Sequence, residues 1–282
     1  MHSPRPVAKS IVRPVAAGLA AISLFVSSPS PAQGDLLVAP TRVIINDRGT
    51  TEVILDNIGE KEATYRISIG FKRMNENGHL DEVDEKDANA IEKAAENMIR
   101  YAPRRVVLPP GQPQAIRISA RPPADLPDGE YRIHMIFNAI PDITPVSAQA
   151  NGDDDQTIKI RLVPIYAIAI PIIIRKGNLE ATAAISNPRV EEGPQGPMLK
   201  LDMARSGTAS VFGEIRVMKP GDDDPVYLVK GIAVYPELTH REVELPITKE
   251  TAAQLKGRLR FEYRELEKDG GKLLASVEGT LG

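Results

Sequence analysis

The stretch Ile158–Ile174, IKIRLVPIYAIAIPIII, decides how this chain folds. Eight of its 17 residues are isoleucine, and Lys159 and Arg161 are its only charges. Such a run can be a membrane helix, a buried strand, or a surface made to be covered by another protein. A membrane helix needs about 20 apolar residues and accommodates interior proline poorly. This run is shorter, carries Pro164 and Pro171, and is dominated by β-branched side chains that favour extended backbone. It reads as a strand. In its first part Ile158, Ile160 and Leu162 share one face while Lys159 and Arg161 share the other, the period-two pattern of a half-exposed strand. From Val163 onward both faces are apolar, which places that part inside a sandwich.

The apolar face of the first part either packs on the protein's own core or stays free. If free, covering its three large aliphatic side chains is worth roughly 5–9 kcal/mol gross, before the costs of association. A strand of that kind is a natural donor for β-augmentation, in which an extended segment adds itself to another protein's sheet.

Working outward, strand-like segments recur every ten or so residues. Segments 36–46, 51–57 and 63–75 are rich in β-branched residues and are separated by turn chemistry, DRG at 47–49 and NIGEK at 57–61. Asn77-Gly78 marks a tight turn. The acidic stretch 81–102 breaks the pattern, because Ala88, Ile91, Ala94, Ala95, Met98 and Ile99 recur at helical spacing. One short amphipathic helix over residues 84–99 is therefore expected. Strands resume at 104–110, 113–120 and 129–141, and 142–157 is a polar loop. After RKGN at 175–178, read as a linker, a second series of short strands runs to the C-terminus. Two series of about seven strands predict an all-β chain of two antiparallel sandwiches.

Composition limits the function. The chain has 282 residues, 42% hydrophobic and 26% charged, with a net charge of −3. That near-neutral balance excludes nucleic acid as the main partner, since phosphate binding needs a basic surplus. With no cysteine, there is no disulfide or thiolate metal site. His79, His134 and His240 are not clustered at metal-ligand spacing and read as exposed strand or turn residues. The acidic triplets at 153–155 and 222–224 lack calcium-loop spacing and read as solvated loop tips. No nucleophile elbow, phosphate loop or dinucleotide fingerprint occurs. The expectation is no metal, no cofactor and no enzymatic activity.

The N-terminus carries Arg5, Lys9 and Arg13 with no acid, then an apolar segment at 14–26 and small residues with Ser30 and Ala32 at the −3 and −1 positions of a cleavage site. Residues 1–33 read as a signal peptide rather than an uncleaved anchor, and the protein as exported.

Four stretches carry a family resemblance: LLVAPTRVII (36–45), APRRVVLPPGQPQAIRIS (102–119), DGEYRIHMIFNAIP (128–141) and IPIIIRKG (170–177). In order and spacing they resemble the PapD-like periplasmic chaperones of the chaperone–usher pilus pathway. The resemblance implies two immunoglobulin-like sandwich domains at an angle, here residues 34–175 and 176–282. It implies a periplasmic location and, as partners, pilus or fimbrial subunits and an outer-membrane usher. It leaves room for a self-capped dimer of the free protein. Its mechanism is donor-strand complementation, for which the alternating residues here are Ile158, Ile160 and Leu162. It also implies a pair of basic residues that hold the subunit's C-terminal carboxylate. Arg42 matches the first, and its planar guanidinium suits a carboxylate because it can donate two parallel bonds. The second, a lysine in the family, falls on Pro171, which leaves Arg175 or Lys176 to substitute. The helix at 84–99 is a further departure. The other reading is an exported structural or adhesive two-sandwich protein that binds something other than pilin.

Overall fold

The computed structural model describes residues 36–141 and 166–282. The expected signal peptide, the 142–157 loop and the donor residues Ile158, Ile160 and Leu162 lie outside them.

The first sandwich comprises β1 (Leu36–Ala39), β2 (Val43–Asn46), β3 (Gly49–Asn57), β4 (Ala63–Met74), β5 (Leu80–Val83), α1 (Ala90–Met98), β6 (Ile99–Ala102), β7 (Arg105–Leu108), β8 (Gln114–Ala120), β9 (Gly129–Ile140) and β10 (Ala167–Lys176). One sheet runs β1-β3-β8-β6 and the other β2-β10-β9-β4-β5, with β7 also on β4. This is the strand arrangement of an immunoglobulin-like domain. Alternating apolar residues of the facing sheets, Ile116 and Ile118 on β8 against Ile133, Met135 and Phe137 on β9, are fully buried between them.

The segment 36–46, expected as one strand, is two. β1 pairs with β3, whereas β2 crosses to the other sheet and runs parallel to β10. Pro40 supplies the break, because it has no N–H to continue a ladder. Arg42 therefore sits at the point where the chain changes sheets.

β10 also differs from its expected form. Ile170, Ile172 and Ile174 enter the first core as alternation requires. Ile173 points the other way and is fully buried with Met74, Ala233 and Tyr235, in a cluster flanked by Phe212 and Leu238. The outer face is apolar at Ile173 because a second domain, not a second layer of the first, covers it there, whereas Ala167 and Ala169 on that face are exposed. The strand also continues through Arg175 and Lys176, which removes them from the expected linker. The turn begins at Gly177, where φ is +75° and a β-carbon would collide with the Asp128 carboxylate.

The inserted helix is shorter than 84–99, because Glu85–Asp87 forms a single 3-10 turn before it and β6 begins at Ile99. Its start is fixed by a capping box: the Asn89 side chain accepts from the Glu92 N–H at 2.9 Å and the Glu92 carboxylate accepts from the Asn89 N–H at 2.8 Å. Ala95 and Met98 bury against the first core, while Ile91, in the first turn, stays 57% exposed.

The second sandwich comprises β11 (Ala181–Gly193), β12 (Gly196–Gly207), β13 (Val211–Met218), β14 (Tyr227–Val234), β15 (His240–Pro246), α2 (Lys249–Gln254), β16 (Gly257–Arg264) and β17 (Leu273–Leu281). Its sheets run β11-β12-β15 and β14-β13-β16-β17 around Leu199, Leu201, Ile215, Phe261 and Tyr263. The short helix α2, capped by Thr248, was not expected from the sequence.

Candidate functional site

The two sandwiches meet on the outer face of the sheet that contains β9 and β10. In register, Arg175 stands opposite Glu130, Ile173 opposite Arg132, and Pro171 opposite His134. Paired residues share a face, so these six side chains form three rows on one face, and the rows of Arg175–Glu130 and Ile173–Arg132 contact the second domain. In the middle row Arg132 donates to Glu237 of the second domain at 2.5 Å and stacks over Tyr235 at 3.7 Å. The tip of the β4–β5 hairpin adds a backbone bond, Glu242 N–H to the Glu76 carbonyl, at 2.9 Å.

Beside this contact lies a cleft of about 420 Å3. The first domain contributes Arg42, Ile44 and Arg175; the second contributes Ser210 and Phe212 at the start of β13 and Glu265, Asp269 and Lys272 before β17. Arg42 stacks on the Phe212 ring at 4.4 Å, and one of its terminal nitrogens donates to the Ser210 hydroxyl at 3.3 Å. Its Nε is buried with no hydrogen-bond partner, and no carboxylate pairs with it among the described residues. Burial lowers its pKa from the usual arginine value. Tyr235, Glu130 and Asp269 oppose that fall and Arg175 reinforces it. It keeps its charge at any ordinary pH. A desolvated cation without a counter-ion gains more from an incoming anion than a solvated one does.

Arg175 is held differently. Its Nε donates to buried Glu130 at 3.0 Å, and Glu130 also accepts from the Ser210 N–H at 3.1 Å and hydroxyl at 2.9 Å. One carboxylate thus binds the end of β10 to the second domain and fixes Arg175 beside Arg42. Lys176 leaves on the opposite face, where its Nζ donates to the Leu126 carbonyl at 2.5 Å. The structure therefore brings Arg42 and Arg175 together and keeps Lys176 away from them. Strand alternation, invisible to a reading that placed both in a linker, separates the neighbours.

β10 has one further feature. It pairs with β9 along its whole length but with β2 only over Ile172–Arg175. Among the described residues, Ala167–Pro171 has no strand on its other edge.

Sequence reasoning missed Glu130, Ser210 and Phe212, whose roles depend on contacts across the domain junction, and Arg205, which acts within the second domain. Arg205 donates to the carbonyls of Leu238, Gly207, Ala209 and Pro236, which ties segment 207–209 to segment 236–238. Its only sequence signal is an arginine in an otherwise apolar alternation. His134 is not exposed as expected. It is fully buried, both ring nitrogens lack a partner, and its register neighbours Gly70 and Pro171 offer no side-chain donor or acceptor. Burial, with Arg132 and Lys72 nearby, lowers its pKa to about 3. His79 and His240 are exposed, as are Asp222, Asp223 and Asp224. No helix among the described residues is long and apolar enough to cross a membrane.

No protein-family model and no curated protein matches the chain. Solved structures do, many of them of pilus chaperones, the family named by the sequence resemblance. A chain of the CsuC–CsuE chaperone–tip adhesion subunit complex, from the archaic chaperone-usher Csu pili of Acinetobacter baumannii, is 14% identical with a TM-score of 0.44 over 88% of this chain and 100% of that one. The E. coli chaperone DraB is 13% identical with a TM-score of 0.45, over 88% and 96%. A chain of the Salmonella enterica SafA pilin–SafB chaperone complex is 14% identical with a TM-score of 0.44, over 89% and 99%.

Proposed function

We propose that this chain is an exported chaperone for secreted fimbrial or pilus subunits. It holds a subunit's C-terminal carboxylate on Arg42 and Arg175 and lends the strand through Ile158, Ile160 and Leu162 to the subunit's sheet. The observation that carries the proposal is Arg42: a partly desolvated guanidinium that no carboxylate pairs with among the described residues, beside Arg175, in a cleft at the end of β10. Ala167–Pro171, which has no strand on its other edge among the described residues, supports the strand-lending half, since augmentation needs free backbone donors and acceptors. Arg175 takes the place of the family's lysine, whose position is filled by Pro171. Binding is driven by strand pairing and apolar burial, without ATP. The site of action is the periplasm, and the complex is handed to an outer-membrane usher.

Co-expression with a candidate subunit tests this, comparing wild type with Arg42→Ala and Ile160→Asp. A soluble one-to-one complex should form with wild type and be lost with both variants, while circular dichroism shows each variant folded. Capture retained by folded Ile160→Asp removes the donor assignment. Capture indifferent to both substitutions favours the alternative, a structural or adhesive protein with a partner other than pilin.

A further inference from the structure

The second domain's wall of the cleft carries charges that anchoring a carboxylate does not use. Between β16 and β17 the chain closes a tight loop, with Glu265 N–H donating to the Lys272 carbonyl at 2.9 Å and Asp269 N–H to the Leu266 carbonyl at 2.8 Å. Gly270 and Gly271, at φ +113° and +64°, supply the left-handed backbone that this closure needs. The loop sorts its acids. Glu267 turns away and accepts from Arg216 at 3.2 Å. Glu265 and Asp269 line the cleft with Lys272, and among the described residues none of the three has an ion-pair partner.

Charge balance then selects the ligand. The cleft has three cations, Arg42, Arg175 and Lys272, against Glu265, Asp269 and the Glu130 that holds Arg175. A lone carboxylate adds negative charge to a balanced site and is repelled by Glu265 and Asp269, which line it. A chain end that brings a cationic side chain along with its carboxylate keeps the balance and gives those acids a partner. Ile44, Leu179 and Leu274 line the same cleft and offer an apolar track for the aliphatic stem of such a side chain.

We propose that the partner's chain end carries a lysine or arginine within its last few residues, and that this side chain pairs with Glu265 and Asp269 while the carboxylate rests on Arg42 and Arg175. The inference rests on the carboxylate-anchor reading above and narrows the partner to one with a basic C-terminal tip.

The test is fluorescence anisotropy at low ionic strength with the whole protein and labelled eight-residue peptides. Three end in a free carboxylate and carry Lys, Ala or Glu at the second and third positions from the end; a fourth is the Lys peptide as an amide. The Lys peptide should bind about tenfold more tightly than the Ala peptide, as two rim ion pairs allow, with the Glu peptide weakest. In Glu265→Gln/Asp269→Asn that spread should shrink to about twofold or less while the preference for carboxylate over amide persists. Equal binding of the three carboxylate peptides, or a spread unchanged in the double variant, overturns the inference and leaves the anchor standing. Equal binding of carboxylate and amide overturns the anchor, and the inference with it.

Discussion

His134 makes stability depend on pH in a calculable way. Its ring is fully buried and both nitrogens lack hydrogen-bond partners. Burial first, then Arg132 and Lys72, lower its pKa from 6.5 to about 3. Above the ordinary value, the folded and unfolded chains are both neutral here and the residue contributes no pH dependence. As pH falls through that value, the unfolded chain takes up a proton that the folded chain refuses until about pH 3. Stability is therefore lost across that whole window. Each pH unit is worth about 1.4 kcal/mol, so the loss between about pH 7.5 and about pH 5 is about 2 kcal/mol. That is a large share of the roughly 5–15 kcal/mol that holds a domain folded. Urea unfolding at the two pH values, for wild type and His134→Leu, measures it. Leucine removes the titration, needs no hydrogen bond, and changes packing equally at both pH values. Wild type should lose about 2 kcal/mol more than the variant on acidification. Parallel losses in the two proteins would refute the reasoning.

Three further predictions concern the frame of the site. Ile173→Ala should cost about 2–4 kcal/mol in chemical denaturation, as a fully buried isoleucine does, and should speed proteolysis at residues 177–180 by loosening the domain contact. A double-mutant cycle of Arg132→Ala and Glu237→Gln should give a coupling of about 1–2 kcal/mol, because Arg132 is largely desolvated although Glu237 is not; additive losses would reduce it to a surface bridge. Asn89→Ala should cost about 1 kcal/mol, read as a lower thermal midpoint, through loss of the capping box of α1.

What could be read in the sequence was what local pattern encodes. Period-two alternation marked most of the strands of both sandwiches, and proline with β-branched crowding excluded a membrane helix over Ile158–Ile174. What it could not show depends on partners distant in sequence. Ile173 and Ile174 are identical neighbours, yet one packs against the second domain and the other inside the first. Nothing local distinguishes them. Arg175 and Lys176 likewise part company through strand alternation, once β10 is known to run past them. The sheet switch at Pro40 was concealed because apolar residues continue on both sides of it. α2 was missed because its six residues are too few for a helical period to show. Glu130 lies 80 residues from Ser210, and its carboxylate has a visible role only after both domains are folded. The donor residues stand where the sequence reading left them, and the co-expression variants are their test.

The central claim is that Arg42 meets the terminal carboxylate of a partner. The most direct measurement is the dissociation constant of a subunit complex in a four-way cycle: wild type and Arg42→Ala, each against the subunit with its natural C-terminus and against one extended by four glycines. A charge-assisted bond to a partly desolvated arginine is worth about 1.5–3 kcal/mol, or roughly 10–100-fold in affinity. The account predicts that Arg42→Ala weakens binding of the natural terminus by that factor and leaves the already weakened extended subunit unchanged. An equal loss with both termini would mean that Arg42 acts on something other than the chain end, and would contradict it.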